Sequence, residues 1–329
     1  MNKNETVLIQ YKINNIKNIL LMDIVEYTKP LIKWVGGKTQ ILDHIIPLIP
    51  VRMNNYWEPF IGGGSVLLAM CDLVASNKIH VEGNIHASDV NPRLIGLYKS
   101  IQSSPHELIG ELQRLVAEYL ACSNNKLASS RGIKWATISK PEASAMGKEG
   151  YYYWTRETFN REPAHTIQSA AMFVFLNKTC FRGLYREGPN GFNVPFGNYS
   201  NPSVFDAKHI LHINRLIQPV IFDCCSYSEV CKSCVAGDFM YLDPPYAPET
   251  INSFVSYTAD GFGDKDHIEL FNCIKNASKT GVLALMSNAH VQPVLDAFKD
   301  FEIIPVECRR RINSKNPDAT TMEVLVRCW

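Results

Sequence analysis

A strand, a glycine-rich turn and a helix follow one another directly near the start of the chain, and this order restricts the fold more than any other feature. The segment Tyr56 to Phe60 predicts the end of a strand, Gly62 to Gly64 predict a tight turn, and Ser65 to Val74 predict a helix. Such a turn lets a ligand approach the backbone closely at the N-terminus of the helix. The unit therefore predicts a Rossmann-like sheet with a ligand site at the turn.

Short apolar segments alternate with helical patterns in much of the remaining chain. After the glycine turn, His86 to Asp89 predicts a second strand and Pro92 to Ile101 predicts the helix that follows it. Later strands are predicted at Val220 to Phe222, Phe239 to Leu242, Val282 to Met286, Phe301 to Val306 and Met322 to Cys328, with helices at Asp264 to Ala277 and Val291 to Phe298. The predicted fold class is α/β.

The middle of the chain has a different character. Helices are predicted at Glu107 to Tyr119 and Ile167 to Leu176, whereas Ala121 to Gly150 is polar and Phe181 to Pro202 is rich in Gly, Asn and Pro. We interpret residues 102–204 as a mostly helical module inserted into an α/β domain, whose two parts are residues 29–101 and 205–329. Residues 1–28 show no sustained period and predict a loosely held N-terminal extension.

Composition excludes several classes of protein. The 329 residues are 46% hydrophobic and 20% charged, which excludes a disordered chain, and the net charge of +1 excludes a global basic field, so any DNA contact must be local. Ten cysteines without a secretory signal predict free thiols in a reducing cytoplasm. The apolar run Ile19 to Met22 is too short to span a membrane. We expect an intracellular protein that binds no membrane and, despite the spacing of Cys231 and Cys234, no metal.

The tetrapeptide Asp243-Pro244-Pro245-Tyr246 follows an apolar strand and should lie at the carboxyl edge of the sheet, where open α/β sheets bind ligands. The exocyclic amine of a purine is a poor nucleophile because its lone pair is delocalised, so an enzyme that alkylates it must accept both N–H hydrogens. The Asp243 carboxylate and the Pro244 carbonyl are two such acceptors, and Tyr246 offers a face for stacking. The alternative is a proline-terminated strand with a capping aspartate.

Asp89 and the glycine turn bear on the choice of cofactor. Asp89 is expected at the tip of a strand, where a carboxylate accepts hydrogen bonds from ribose hydroxyls, although a capping or turn role is an equal alternative. A dinucleotide fingerprint requires glycine three residues after Gly64, where this chain has Leu67. The departure disfavours a nicotinamide oxidoreductase.

Four segments, in order along the chain, resemble the motifs of the Dam-type class (D12, alpha-group) of S-adenosylmethionine-dependent DNA N6-adenine methyltransferases. They are Pro30 to Lys38 for the opening motif, Glu58 to Ser65 for the glycine motif, Ser88 to Asn91 for the ribose-binding strand end, and Asp243 to Tyr246 for the catalytic tetrapeptide. The resemblance extends from about Pro30 to the C-terminus. It implies a class I methyltransferase sheet whose first part, residues 29–101, binds the cofactor, and a target-recognition domain at residues 102–204.

The resemblance also implies the residues of the catalytic and cofactor sites. Asp243, Pro244, Pro245 and Tyr246 would be catalytic. The implied S-adenosylmethionine site comprises Trp34, Gly36, Gly37, Lys38, Glu58, Pro59, Phe60, Gly62, Gly63, Gly64, Ser65, Asp89, Val90, Asn91, Phe222, Asp223 and Asp243. In addition, Phe254 to Phe262 resembles the aromatic wall beside the target base, and Ser287-Asn288 matches the end of the next strand.

Within the inserted module, Asn177 to Arg186 and Gly191 to Gly197 resemble the target-recognition hairpin of the family. The resemblance implies that Arg186 reads one guanine and Lys33 contacts another, which suits donors that face guanine O6 and N7. Arg182 stands where relatives that methylate GATC often carry Asn, so the contact of that position is not carried over. The implied DNA-binding set is Lys33, Phe181, Arg182, Leu184, Arg186, Asn193, Pro195, Arg309, Arg310 and Arg311. The last three resemble a phosphate-holding loop, with a solvated charged turn as the alternative.

The function implied by the resemblance is methyl transfer from S-adenosylmethionine to N6 of a flipped adenine in duplex DNA, in a GATC-like site. We expect a monomer that acts on double-stranded DNA, with a cognate restriction endonuclease for the same site as a candidate partner. An N4-cytosine DNA methyltransferase stays open as an alternative, although those enzymes more often carry Ser at the position of Asp243. A catalytically silent methyltransferase-like DNA-binding protein is the other alternative.

Overall fold

The structure, a computed structural model, describes residues 26–125, 127, 129–130, 132–248, 262–309 and 320–329. Its strands are β1 (Arg52–Met53), β2 (Tyr56–Glu58), β3 (His80–Val81), β4 (Ile85–Ser88), β5 (Glu187–Gly188), β6 (Gly191–Phe192), β7 (Val220–Asp223), β8 (Phe239–Leu242), β9 (Leu283–Ala289), β10 (Glu302–Arg309) and β11 (Thr320–Cys328). A seven-stranded sheet has the order β10-β11-β9-β8-β2-β4-β7. The predicted α/β fold class is confirmed.

The order and direction of the strands create a crevice at one point of the sheet. Strands β8, β2, β4, β7 and β9 run parallel, whereas β11 lies antiparallel to both β9 and β10. From β2 the chain proceeds to β4 and β7 on one side and then returns to β8 on the other side. The strand order therefore reverses between β2 and β8, and open α/β sheets bind ligands at the carboxyl ends of the strands at such a point.

Helices cover both faces of the sheet. They are α1 (Leu42–Ile45), α2 (Ser65–Ala75), α3 (Pro92–Ser103), α4 (Pro105–Ala121), α5 (Lys140–Ala145), α6 (Gly147–Arg161), α7 (Ile167–Thr179), α8 (Ala207–Leu216), α9 (Tyr227–Ser233), α10 (Asp264–Lys279) and α11 (Gln292–Ala297). Strand β8 is buried on both faces: Phe239 and Tyr241 join the core beneath α2, α3 and α8, while Met240 and Leu242 join the core beneath α9, α10 and α11. Successive strand residues point to opposite faces, so one all-apolar strand serves two cores.

The inserted segment contains α4 to α7 and the short hairpin of β5 and β6. Helices α4 and α7 lie where the sequence predicts them, and α7 packs against both α3 and α4. The polar segment Ala121 to Gly150 contains helix in its last third, where α5 and the start of α6 lie. A capping box of Ser139 and Glu142 starts α5. Helix α6 is polar on average but buries an aromatic face, which a composition-based interpretation overlooks.

The first described residues are held in place by the α/β core. The backbone N–H of Thr28 donates to Asp72 Oδ2 at 2.7 Å, and its hydroxyl lies 2.9 Å from His212 Nε2. His209 Nε2 lies 2.8 Å from the carbonyl oxygen of Lys29. The two histidines of α8 therefore anchor the chain where it enters the fold. Most of the expected N-terminal extension, residues 1–25, lies outside the described residues.

Two further features concern membranes and metals. In the part of the chain that the structure describes, no helix is long and apolar enough to cross a lipid bilayer. Within the same residues, no three His, Cys, Asp or Glu side chains converge as metal ligands. Cys231 and Cys234 are partly buried and pack against the core beneath α9 and α10.

Candidate active site

The crevice between β2 and β8 brings together the glycine motif and the catalytic tetrapeptide, which lie far apart in the sequence. Glu58 ends β2 and is followed by the turn Gly62 to Gly64, and Asp243 follows β8 directly. The Asp243 carboxyl is close enough to Glu58 to raise its pKa, although burial is the larger cause. The crevice thus contains an acidic pair beside a glycine turn, at the position where the topology predicts a ligand site.

Lys38 contacts the Asp243 carboxylate directly. The Lys38 Nζ lies 2.7 Å from Asp243 Oδ1 and donates to the carbonyl oxygen of Gly36 at 2.6 Å. Burial raises the pKa of Asp243 to about 6, and Lys38 is the main influence in the opposite direction. At neutral pH Asp243 is therefore mostly ionised, the state in which a carboxyl group only accepts hydrogen bonds.

Two neighbouring strands hold the segment that follows Asp243. The Tyr246 hydroxyl donates to Glu323 Oε2 of β11 at 2.5 Å, and the backbone N–H of Ala247 donates to Asn288 Oδ1 of β9 at 3.0 Å. Pro244 is buried and Pro245 partly buried, and neither has a backbone N–H to satisfy. Sequence analysis missed Glu323, for which the only signal is a lone acidic residue in strand β11.

The glycine turn is built against the aromatic ring of Trp34. A Cβ atom on Gly62 would lie 2.8 Å from Trp34 Cδ1, and one on Gly63 would lie 2.9 Å from Trp34 Cβ. Gly62 has φ +48° and Gly64 has φ +75°, in the left-handed region that disfavours other residues. The Tyr98 hydroxyl donates to the Gly63 carbonyl oxygen at 2.7 Å and fixes the turn from below. The glycines are thus required both by backbone conformation and by close packing.

The opening motif and the start of α2 lie together beside this turn. The Thr39 hydroxyl lies 3.2 Å from the Ser65 hydroxyl, and a Cβ atom on Gly37 would lie 3.5 Å from Ser65 Oγ. Pro59 is buried and Phe60 partly buried, and the Phe60 ring stacks on Tyr227 at 5.6 Å between centroids. The structure therefore places the predicted residues of the first two motifs around one turn.

Glu58 is buried and carries an unusual protonation equilibrium. Its Oε2 accepts a 2.6 Å hydrogen bond from the Tyr56 hydroxyl. Burial raises the pKa of Glu58 to about 8, with the Tyr56 hydrogen bond acting in the opposite direction and Asp243 adding to the increase. At neutral pH Glu58 is therefore mostly neutral beside an ionised Asp243, so the two neighbouring carboxyls need not both carry charge.

Asp89 connects the end of β4 to the glycine turn. Its Oδ2 accepts from the backbone N–H of Gly62 at 3.2 Å, and its Oδ1 accepts from the backbone N–H of Asn91 at 2.9 Å. Burial raises the pKa of Asp89 to about 6, and these backbone donors act against the increase. Asn91 in turn caps α3 by accepting from the N–H groups of Arg93 and Leu94. The turn role considered for Asp89 is therefore present, and it places the carboxylate beside the glycine turn.

The remaining predicted cofactor residues differ in exposure. Val90 is 52% exposed, and Asp223 is exposed at the end of β7. The Phe222 ring is buried and stacks on Tyr98 at 5.2 Å between centroids, so its contact is with the core. Of the aromatic wall predicted at Phe254 to Phe262, only Phe262 lies within the described residues, and its ring packs edge-on against Phe60.

The predicted recognition hairpin lies next to the opening motif. Arg186 Nε donates to Asn193 Oδ1 at 2.7 Å, and the Phe181 backbone N–H donates to the Pro195 carbonyl oxygen at 2.8 Å. The Phe181 ring is 45% exposed and lies 5.1 Å from the Arg182 guanidinium carbon. Arg182 adopts φ 59°, and its backbone N–H donates to the Tyr199 hydroxyl. Residues that are implied to bind DNA are thus grouped on one exposed loop.

Asn177 joins this hairpin to Lys33. Its Oδ1 accepts from the Lys33 backbone N–H at 2.8 Å, while its Nδ2 donates to the carbonyl oxygens of Lys33 at 2.8 Å and Gly183 at 3.2 Å. A Cβ atom on Gly183 would lie 2.5 Å from Lys33 Cδ, so glycine is needed for the close approach. Leu184 is partly buried, and the neighbouring Tyr185 stacks on Trp34. The structure therefore couples Lys33 to Arg186 through packed and hydrogen-bonded neighbours.

The predicted basic loop lies almost entirely outside the described residues. Arg310 and Arg311 lie outside the described residues, as does the side chain of Arg309 at the end of β10. The structure leaves their predicted phosphate contact untouched.

Comparison with known proteins gives this arrangement a family context. A sequence profile described as D12 class N6 adenine-specific DNA methyltransferase matches residues 34–312. The chain is 33% identical over 297 residues to the Type II methyltransferase M.MjaIII of Methanocaldococcus jannaschii, covering 87% of this chain and 93% of the relative. It is 30% identical to the Type II methyltransferase M1.LlaDCHI of Lactococcus lactis, covering 88% and 90%. It is 28% identical to a DNA adenine methylase of Vibrio cholerae, covering 91% and 95%.

Proposed function

The chain belongs to the D12 class of N6 adenine-specific DNA methyltransferases, and on this premise we propose that it methylates N6 of a flipped adenine in a GATC-like duplex site, with S-adenosylmethionine as donor. One observation carries the proposal: Asp243, paired with Lys38 at 2.7 Å, follows β8, and the glycine turn follows the neighbouring strand β2. An acceptor for an amine and a turn suited to an adenine cofactor therefore face the same space.

The residues around the turn fit S-adenosylmethionine. The left-handed Gly62 and Gly64 leave the N-terminus of α2 open to close approach, and the Asp89 carboxylate beside them suits ribose hydroxyls. The proposed cofactor set also contains Trp34, Gly36, Gly37, Lys38, Glu58, Pro59, Phe60, Gly63, Ser65, Val90, Asn91, Phe222 and Asp223. Of these, Phe222 contributes by packing in the core beneath the site. When bound, the cofactor supplies an activated methyl group on a sulfonium.

Asp243 and Pro244 act on the target amine in this mechanism. The Asp243 carboxylate and the Pro244 carbonyl each accept one N6 hydrogen and direct the nitrogen lone pair towards the methyl group. When the N6 lone pair forms the bond to the methyl group, N6 becomes positively charged and strongly acidic. It then loses one proton, which we assign to Asp243 as the acceptor, and neutral N6-methyladenine remains. Much of the rate then comes from the positioning of two bound reactants.

Recognition of DNA is assigned to Lys33 and the hairpin in residues 102–204. The base flips out of the helix at a cost of a few kcal/mol and stacks on the Tyr246 ring. Arg186 and Lys33 would read guanines. The rest of the hairpin surface would consist of Phe181, Arg182, Leu184, Asn193 and Pro195. The phosphates would be held by Arg309, Arg310 and Arg311. With a net charge of only +1, affinity rests on few phosphate contacts, so it should decrease with salt only as steeply as that small number of contacts requires.

Two relatives are named Type II methyltransferases, and these names support the proposal that this protein belongs to a restriction-modification system. We propose a restriction endonuclease of the same site specificity as the functional partner, and a monomer as the active form. The methyltransferase and the endonuclease would recognise the same DNA sequence and would not need to bind each other.

The direct test is transfer of labelled methyl from S-adenosylmethionine to a duplex that contains GATC, beside a matched duplex without it, with nucleosides identified after digestion. Labelled N6-methyladenine in the first duplex alone would support both the chemistry and the site. Equal labelling of both duplexes would retain the chemistry and refute the site, with Arg182 as the first residue to exchange. No labelled adenine in either duplex, with cofactor binding measured separately, would contradict the proposed substrate.

Base recognition is tested with Arg186→Ala on a set of duplexes that each differ by one base pair. We expect a loss of about 1–3 kcal/mol of discrimination at one position. Uniform weakening on all duplexes would instead identify Arg186 as a phosphate contact. Arg156→Ala is the matched control, because Arg156 binds the carbonyl oxygens of the same hairpin from α6 without belonging to the proposed reading set.

A further inference from the structure

We propose that Glu323 positions the target base by holding the Tyr246 ring in its stacking orientation, an inference that rests on the proposed function. Glu323 lies in β11, and its Oε2 accepts a 2.5 Å hydrogen bond from the Tyr246 hydroxyl across 77 positions of sequence. The two prolines before Tyr246 fix the φ angles of the backbone that leads to it, but they leave its side chain free to rotate. The hydrogen bond to Glu323 restricts the side chain.

The sheet places Glu323 where it can do this. Glu323 pairs with Ala289 of β9, and the residue before Ala289, Asn288, accepts from the backbone N–H of Ala247. The segment around Tyr246 is therefore held at its backbone by β9 and at its side-chain tip by β11. Because β11 is the antiparallel strand, its first residues lie at the same edge as the carboxyl ends of β8 and β9.

The charges around Tyr246 suit a fixed, electron-rich ring. Lys38 Nζ lies 4.9 Å from the ring centroid on the side of Asp243, and the Glu323 carboxylate holds the hydroxyl at the other end. Burial, followed by the Asp243 and Glu323 carboxylates, raises the pKa of Tyr246, so the phenol stays protonated and donates. A bond from a hydroxyl to a carboxylate is roughly twice as strong as one between neutral groups. Glutamate is therefore a better anchor here than glutamine.

A ring held in one orientation reduces the entropy lost when the flipped base stacks on it. Glu323 is assigned as a positioning residue because it would act on the base through its hydrogen bond to Tyr246. Its charge also raises the pKa of Asp243, so the rates are compared at a pH where Asp243 is ionised in both proteins. Loss of Glu323 should slow the methylation step and raise the fluorescence of an unstacked base, while cofactor binding stays unchanged.

The experiment compares Glu323→Gln, Tyr246→Phe and the double variant with wild type on duplex DNA. Single-turnover methylation gives the rate, 2-aminopurine at the target position reports stacking, and calorimetry gives the affinity for S-adenosylmethionine. We expect each single variant to be slowed about tenfold and the double variant to be no more than about twofold slower than Tyr246→Phe alone. Glu302→Gln is the control, because Glu302 lies at the opposite end of the β10–β11 pair from Glu323 and its carboxylate forms an ion pair with Arg327.

The outcomes separate two kinds of failure. If the rate losses of the single variants multiply in the double variant, or if 2-aminopurine fluorescence is unchanged in Glu323→Gln, the proposed role of Glu323 is wrong. If wild type methylates no adenine duplex, the proposed function has failed instead. Should Glu323→Gln not fold, Tyr246→Phe decides alone, because it removes the hydroxyl and keeps the ring. A single-turnover rate within twofold of wild type would then overturn the proposal.

Discussion

Replacing Lys38 with methionine should shift the acidic limb of the pH–rate profile to higher pH. Burial raises the pKa of Asp243 to about 6, and the ammonium of Lys38 at 2.7 Å keeps it from rising further. An adjacent opposite charge lowers the pKa of an aspartate by roughly 1–3 units. Methionine keeps the length of the side chain and removes the charge, so the pKa of Asp243 in Lys38→Met should rise to roughly 7–9.

The direction and the size of the expected change in rate follow from the role of Asp243 as an acceptor of N–H hydrogens. A carboxylate accepts N–H hydrogens and a carboxylic acid is a poorer acceptor, so the rate should fall as pH decreases through the pKa of Asp243. At pH 7 a group of pKa 6 is about 91% ionised and one of pKa 8 about 9% ionised, which is roughly a tenfold difference in rate. The difference should vanish at high pH, where both forms are ionised.

The assay is kcat/KM for duplex DNA at saturating cofactor, measured from pH 5 to pH 10. Lys38→Arg retains the charge and should keep the wild-type limb. Tyr56→Phe separates Asp243 from Glu58, because it removes the hydrogen bond that lowers the pKa of Glu58 and should move only a limb that belongs to Glu58. A limb in Lys38→Met within about 0.3 pH units of wild type would refute the reasoning.

Three further predictions concern the β2–β8 site and the recognition hairpin. Asp243→Ala should lower the methylation rate at least 10²–10³-fold with cofactor affinity largely retained by calorimetry, and a rate within tenfold of wild type would contradict the assigned role. Gly62→Ala should weaken cofactor binding about tenfold, because a left-handed alanine costs about 1–2 kcal/mol and its Cβ would lie 2.8 Å from Trp34. The control is Gly110→Ala, which lies in open space on α4 and should stabilise the fold in urea titrations. Asn177→Ala should lower the free energy of unfolding by at least about 1–3 kcal/mol, because it leaves backbone groups of Lys33 and Gly183 unpaired. It should also relax discrimination at the base read by Lys33. Unchanged discrimination would show that Asn177 takes no part in recognition.

Much of the fold was predictable because its signals are local. An apolar strand such as Phe239–Leu242 ends at two prolines, and a glycine turn precedes a helix with a continuous apolar face, so the sequence alone located strands β8 and β2 and helix α2. Helix α6 escaped the same reasoning because its polar average hides a buried aromatic face. A pattern with few apolar residues predicts a loop, although tertiary contacts made by its aromatic side chains stabilise a helix.

The candidate site divides in the same way. The sequence by itself determined the chemical groups at the strand ends: the acceptors of Asp243 and Pro244, the glycines of the turn, and the carboxylate of Asp89. Only the tertiary structure decided how these groups are held and charged. Lys38 and Asp243, Tyr246 and Glu323, and Lys33 and Asn177 meet across long stretches of chain, the last pair across 144 positions, and no local period encodes such contacts. Protonation likewise depends on burial and on neighbouring charges, so the pKa of Asp243 near 6 and of Glu58 near 8 arises only once strand order brings β2 and β8 together.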